Sequence, residues 1–220
     1  MGARASRFVS HVACVVLARL VMVALHEWYL PIKRTQKMNV ELKLSSNRDA
    51  HIIKNLWPLY QHDVSEFDGS KPNRHGLFGV DDHVRTLAKH AESLDAWWID
   101  PQSLFPYLIL VDGSPAGFNL IAARPRLPKA IDADFVVHEF FILHAYRGKG
   151  VGEQAAIQGF SIHSGKWEIV TYPTHVQAIA FWRKVLKSYT GKGYAENKAN
   201  HPWGRKVVFS FENRNHKMIF

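Results

Sequence analysis

The sequence predicts a mixed α/β domain over about residues 38–220, preceded by an extension over residues 1–37. Runs with strand-like alternation and runs with helical periodicity follow one another in the order β-α-α-β-β-β-α-β-α-β. An Asp112-Gly113 pair separates two strand-like runs, as a hairpin turn does. A glycine-rich turn, Arg147-Gly148-Lys149-Gly150-Val151-Gly152, joins a strand-like run to a helix-like one.

Val40 to Leu44 alternates apolar and polar residues, the pattern of a half-buried strand. Ser46-Asn47-Arg48-Asp49 then supplies capping side chains, and Ile52, Ile53, Leu56, Leu59 and Tyr60 give the next helix an apolar face. Pro58 lies inside that helix and should kink it. After the loop residues Asp68 to Pro72, a second helix is expected from Asp82 to Glu92. Strands follow at Pro106–Val111 and Ala116–Ala122, and a loop with two prolines at Arg124–Asp134. Phe135 to Leu143 is rich in β-branched and aromatic residues, as buried central strands are. A helix should run from Val151 to about Ser164, stopped by Gly165. Trp167–Tyr172 reads as a strand, and Ile179, Trp182, Val185, Leu186 and Tyr189 mark a strongly periodic helix. Gly191–Gly204 reads as loop and Lys206–Phe211 as the closing strand.

The composition, 47% hydrophobic and 21% charged, is that of a folded domain and excludes a disordered chain. The net charge of +9 is uneven: residues 1–37 carry +5 and the rest only +4. A modest excess of that kind suits an anionic cofactor, and the absence of a basic helix or an aromatic-basic repeat points away from nucleic acid. Cys14 is the only cysteine, which rules out an intrachain disulfide and points to a reducing, cytoplasmic setting. The 13 histidines are scattered, without metal-ligand spacing, so no metal is expected.

Residues 12–25, VACVVLARLVMVAL, follow Arg4 and Arg7 in the layout of a signal peptide. Arg19 interrupts the run, no small-x-small cleavage site follows, and the run is short of the roughly 20 residues of a membrane span. The expectation is that the natural start is Met38, with a weak membrane-associating helix or a cleaved signal over residues 1–37 as the alternatives and no stable membrane span.

The glycine turn carries the chemistry. A helix N-terminus presents unpaired N–H groups and a partial positive charge, and glycines let phosphate oxygens come close to the backbone. Other phosphate loops fit less well. The spacing departs from the dinucleotide-binding G-x-G-x-x-G, and the G-K-[ST] ending of a Walker loop is absent.

The run from Phe140 to Gly152 resembles motif A of the GNAT superfamily, with its [QR]-x-x-G-x-[GA] core. A second block, His175 to Lys184, is similar to that superfamily's N-x-x-A-x-x-F-[YW] helix. The resemblance covers roughly residues 38–190. It implies a GNAT-like fold: a mixed, mostly antiparallel sheet with splayed central strands, flanked by helices. It also implies an N-acetyltransferase that moves an acetyl group from acetyl-CoA, its co-substrate, to a small-molecule or peptide amine by direct attack. A homodimer is compatible with the family. On this resemblance Phe140, Phe141 and Ile142 would pair with the pantetheine arm. Arg147, Gly148, Lys149, Gly150, Val151 and Gly152 would hold the pyrophosphate, with His175 and Trp182 lining the cleft.

Glu139 is the candidate general base, because a carboxylate in an apolar strand should have a raised pKa suited to deprotonating an ammonium. In a regular strand His138 would point to the opposite face. Two positions depart from the family pattern: His175 stands where relatives have Asn, and Trp182 where they often have Tyr. An indole N–H donates hydrogen bonds but cannot act as the acid that protonates a thiolate. Tyr189 lies about 10 Å further along the same helix, so Tyr172 is the candidate acid. Trp97-Trp98 fits a core or rim position better than a substrate pocket. The same motif also fits a non-catalytic acyl-CoA sensor and an acyltransferase acting on aminoacyl-tRNA.

Overall fold

A computed structural model describes residues 38–214. The reading of residues 1–37 therefore lies outside the described residues. The elements are β1 (Val40–Leu44), α1 (Ala50–Asp68), α2 (Leu87–Ala91), α3 (Ala96–Ile99), β2 (Leu104–Val111), β3 (Ser114–Ala123) and β4 (Phe135–Ile142), followed by α4 (Val151–Ile162), β5 (Lys166–Thr171), α5 (Val176–Thr190), β6 (Tyr194–His201) and β7 (Gly204–Glu212).

The seven strands form one sheet in the order β1-β2-β3-β4-β5-β7-β6. Every neighbouring pair is antiparallel except β4 and β5. Asp112 and Gly113 turn β2 into β3 with φ of 50° and 79°, the left-handed pair that a two-residue hairpin needs. Because strand side chains alternate, each face gathers its own core. Leu108, Phe118 and Leu120 meet Ile53 and Leu56 of α1. On the other face Phe160 of α4 packs edge-on to Trp167 and Phe211, 5.0 and 4.9 Å between ring centroids. Trp167, Phe118 and Phe160 are among the largest fully buried side chains, each worth roughly 1.5–3 kcal/mol of burial. Gln158 of α4 reaches the outer edge of β1. It accepts from Leu42 N and donates to Val40 O, both at 2.9 Å.

Two expectations are corrected. The helix proposed for Asp82–Glu92 starts only at Leu87, because Thr86 caps it by accepting from Lys89 N at 3.2 Å. Ahead of it, Asp81, Asp82 and Val84 are tied into turns by Asn73 and Arg74. The segment Gly191–Gly204, read as loop, contains β6. As the edge strand it is largely exposed and carries Glu196, Asn197, Lys198 and Asn200 instead of an apolar stripe.

Candidate active site

The site begins where the sheet comes apart. β4 pairs with β3 as far as Ile142, but with β5 only through Phe135–Val137 against Trp167–Ile169. The second half of β4 thus turns an edge of main chain toward a cleft. Gly117 of β3 makes this region possible, since a Cβ there would lie 1.9 Å from the Phe141 carbonyl oxygen.

The glycine turn follows. Gly148 and Gly150 have φ of 72° and 79°, and Gly150 is the N-cap of α4. Gly152 lets α4 sit against α5: its Cβ would meet the Phe181 ring at 3.1 Å. The first N–H groups of α4 have no acceptor within the helix, which suits them to an anion. Val151 has a fully buried side chain, so only its main chain can serve such a ligand. The Arg147 side chain is exposed but tied down by its neighbours. Its Nε donates to Ile142 O at 2.7 Å, one terminal nitrogen donates to Asp63 Oδ2 at 2.6 Å, and His144 lies 3.0 Å from the other. Burial pushes the Asp63 carboxyl up, but the Arg147 guanidinium more than offsets this and holds it below the usual range. Lys149 donates to Ala145 O at 2.8 Å, and its side chain does not line the cleft.

The cleft encloses about 990 Å³. Its walls include Phe140, Phe141 and Ile142 of β4, and Arg147, Gly148, Gly150 and Gly152 of the turn. His175 and Trp182 close the α5 side. The His175 ring stacks on Phe67 of α1 at 3.6 Å, and Thr174 beside it donates to Phe67 O at 2.9 Å. Burial lowers the His175 pKa, with the Arg147 charge in the same direction and Glu66 and Asp63 opposing. Trp182 is buried edge-on to Phe140 at 5.2 Å. Main-chain donors at one end and an apolar corridor at the other fit an elongated phosphate-bearing ligand.

Glu139 sits half-buried at the split and accepts a hydrogen bond from the Tyr60 hydroxyl. His138 is not on the far side of it. The β3–β4 register slips so that Leu120 faces Glu139 and Ile121 faces Val137, leaving His138 as the extra residue of a bulge. Its Nδ1 lies 3.4 Å from Glu139 Oε1, so the alternation expected of a regular strand is broken at this point. Tyr172, just beyond β5, does not line the large cleft, but it shares the electrostatics of Glu139. Burial raises its phenol pKa, and the charges of Asp68 and Glu139 raise it further. Under its ring, 3.2 Å from the centroid, lies the ammonium of Lys206, a buried residue of β7 whose pKa burial lowers. Tyr189 is elsewhere, packed on Phe160 and Phe211.

Sequence reasoning placed Tyr60 only on a helix's apolar face and assigned no role to Asp63 or Phe67. The structure puts them against Glu139, Arg147 and His175 respectively. Their spacing of three and four residues was the signal, because it sets them on one face of α1. Lys206 carried a weaker signal, a charge directly ahead of the apolar run Val207-Val208-Phe209.

Among the described residues, no group of three metal-ligating side chains is placed to hold an ion, and no helix is long and apolar enough to cross a membrane. No family model matches the chain, and no curated protein matches it in sequence. Solved structures do match. An acetyltransferase from Thermus thermophilus superposes with a TM-score of 0.54 at 15% identity, covering 80% of this chain and 98% of that one. The aminoglycoside acetyltransferase AAC(6')-Ib, in complex with ribostamycin and coenzyme A, gives 0.57 at 16% identity over 83% and 99%. The PaiA N-acetyltransferase from Thermoplasma acidophilum, in complex with coenzyme A, gives 0.54 at 11% over 80% and 99%. At such identities the likeness establishes architecture alone, and the architecture of this chain is the GNAT acetyltransferase fold.

Proposed function

We propose that this chain is an N-acetyltransferase that transfers an acetyl group from acetyl-CoA to a primary amine within a ternary complex. The observation that carries the reading is that β4 pairs with β5 over only its first three residues, so that its unpaired end leads into the glycine turn. It leaves strand main chain free next to a helix N-terminus, and one ligand with an amide-bearing arm and a pyrophosphate can use both. The N–H groups from Arg147 to Gly152 would hold the pyrophosphate, and Phe140 to Ile142 would flank the arm. The match to proteins solved with coenzyme A supports the same choice of ligand.

In the reaction Glu139 takes a proton from the ammonium. The freed nitrogen lone pair attacks the thioester carbonyl carbon, and the adduct collapses with cleavage of the C–S bond. The sulfur leaves with that electron pair as a thiolate and takes a proton from Tyr172, relayed by solvent because Tyr172 does not line the cleft. Solvent takes the second proton from the nitrogen, leaving the neutral amide, and reprotonates Tyr172. Burial and the neighbouring carboxylates keep Tyr172 protonated at neutral pH, as an acid must be. A thiol with a pKa near about 8.5 is a tolerable leaving group, so the demand on that acid is modest.

The test is release of free thiol from acetyl-CoA by the full chain across a panel of amines. Direct transfer requires initial-rate lines that intersect when both substrates are varied. Parallel lines would show an acetyl-enzyme and remove the ternary complex. Acetyl-CoA that raises the Tm with no turnover of any amine would replace the enzyme with a sensor.

A further inference from the structure

A second, smaller cavity of about 320 Å³, at the low end of the size range for ligand sites, is lined by His138, the chain neighbour of Glu139. Its walls are aromatic. Trp97 of α3 and Trp203 of the β6–β7 turn both meet the His138 ring near edge-on, at 5.5 and 5.1 Å. Leu104, Leu127 and Pro128 complete an apolar lining. Its one permanently charged lining residue, Arg126, is paired with Asp100 at 2.6 Å, and no carboxylate lines the cavity.

The bulge ties this cavity to the chemistry. His138 lines it and lies 3.4 Å from one oxygen of Glu139. Tyr60 lines the large cleft and donates to the other oxygen. Glu139 lines neither space, but one neighbour links it to each.

We propose that the small cavity is the acceptor pocket, and that it takes a primary amine bearing one aromatic ring system a short chain from the nitrogen. That amine is either a free arylalkylamine or the aromatic N-terminal residue of a peptide. The inference rests on the N-acetyltransferase reading. A flat ring in a cavity lined by two indoles and an imidazole gains burial and edge contacts. A polycationic acceptor would lose hydration in a lining that offers no carboxylate to replace it. A three-ring aminoglycoside also exceeds the volume. The pocket thus argues for a different acceptor from the aminoglycoside bound by one structural neighbour.

The experiment measures binding by calorimetry and turnover by thiol release on the full chain. The probes are tryptamine, a tryptophan-first dipeptide amide, spermidine and kanamycin. The expected result is a kcat/KM for a ring amine at least about tenfold above the two polycations, a gap of roughly 1.4 kcal/mol. Trp203→Ala should raise the ring amine's KM by a similar factor while acetyl-CoA raises the Tm as in the parent protein. Preference for either tryptamine or the dipeptide upholds the pocket and identifies the source. Polycations used as well as ring amines, or a Trp203→Ala variant that weakens all amines equally, overturns it. So does failure of every ring amine to bind while acetyl-CoA still stabilises the protein. Failure of acetyl-CoA itself to stabilise the protein would instead remove the underlying transferase reading.

Discussion

Placing a carboxylate at Gly150 separates the cofactor site from the fold that carries it. Gly150 caps α4 with φ of 79°, and a Cβ there finds only Gln154 Nε2, at 3.8 Å. Space is therefore no obstacle, and Gly150→Ala should cost only the left-handed conformation, about 1–2 kcal/mol. For a domain of this size that lowers Tm by roughly 2–4 °C per kcal/mol. Gly150→Asp carries a comparable backbone cost and adds a charge. A carboxylate about 5 Å from a pyrophosphate with two negative charges is opposed by roughly 1.7 kcal/mol in a water-like medium, and by more where the cleft excludes water. Each 1.4 kcal/mol is about a factor of ten. The aspartate variant should therefore bind acetyl-CoA at least about tenfold more weakly than the alanine variant. The gap should narrow as salt rises from about 50 to 300 mM. Calorimetric titration of both variants at the two salt concentrations is the assay. Equal affinities would mean that the phosphates bind elsewhere.

Other perturbations address the base, the sheet and the histidines. Glu139→Gln should lower kcat and flatten the acidic limb of the pH–rate profile while acetyl-CoA affinity persists; an unchanged profile removes Glu139 as base. Gly117→Ala forces a Cβ to 1.9 Å from Phe141 O and should destabilise the protein by about 3 kcal/mol or more, read as a lower midpoint in urea. Burial lowers the pKa values of His90, His163 and His175. The unfolded chain then binds more protons than the folded one as pH falls through about 6.5, so stability is full above that pH and declines below it. The carboxyls of Asp49, Asp100 and Asp134 are held below their usual range by their hydrogen-bond partners, so their contribution is lost only below about pH 4. Tm measured from pH 8 to 5 should drop in the histidine window, and a flat profile there would contradict the burial of these rings.

What the sequence disclosed was local. The Asp112-Gly113 hairpin, the strand before the glycine turn and the periodic α5 each announce themselves within a dozen residues, because turn chemistry and amphipathic spacing are short-range properties. What it hid was tertiary. Tyr60 meets Glu139 across 79 positions and Arg147 meets Asp63 across 84, so neither pair leaves a mark on its own neighbourhood. The bulge at His138 is a property of two strands together, and alternation read along one strand gave the wrong side. β6 escaped because a largely exposed edge strand needs no apolar stripe.

The Gln158 carboxamide imitates a peptide unit. With one acceptor and one donor it occupies Leu42 N and Val40 O, the main-chain groups through which an incoming strand would bind β1. A second chain extending the sheet on that side must first pull Gln158 off both groups and leave its amide to water. At the opposite border β6 meets solvent with charged and amide side chains. The two ends of the sheet are therefore closed to recruitment by different means, one by a built-in mimic of the next strand and the other by hydration, and amyloid-like stacking through β1 is blocked at its centre.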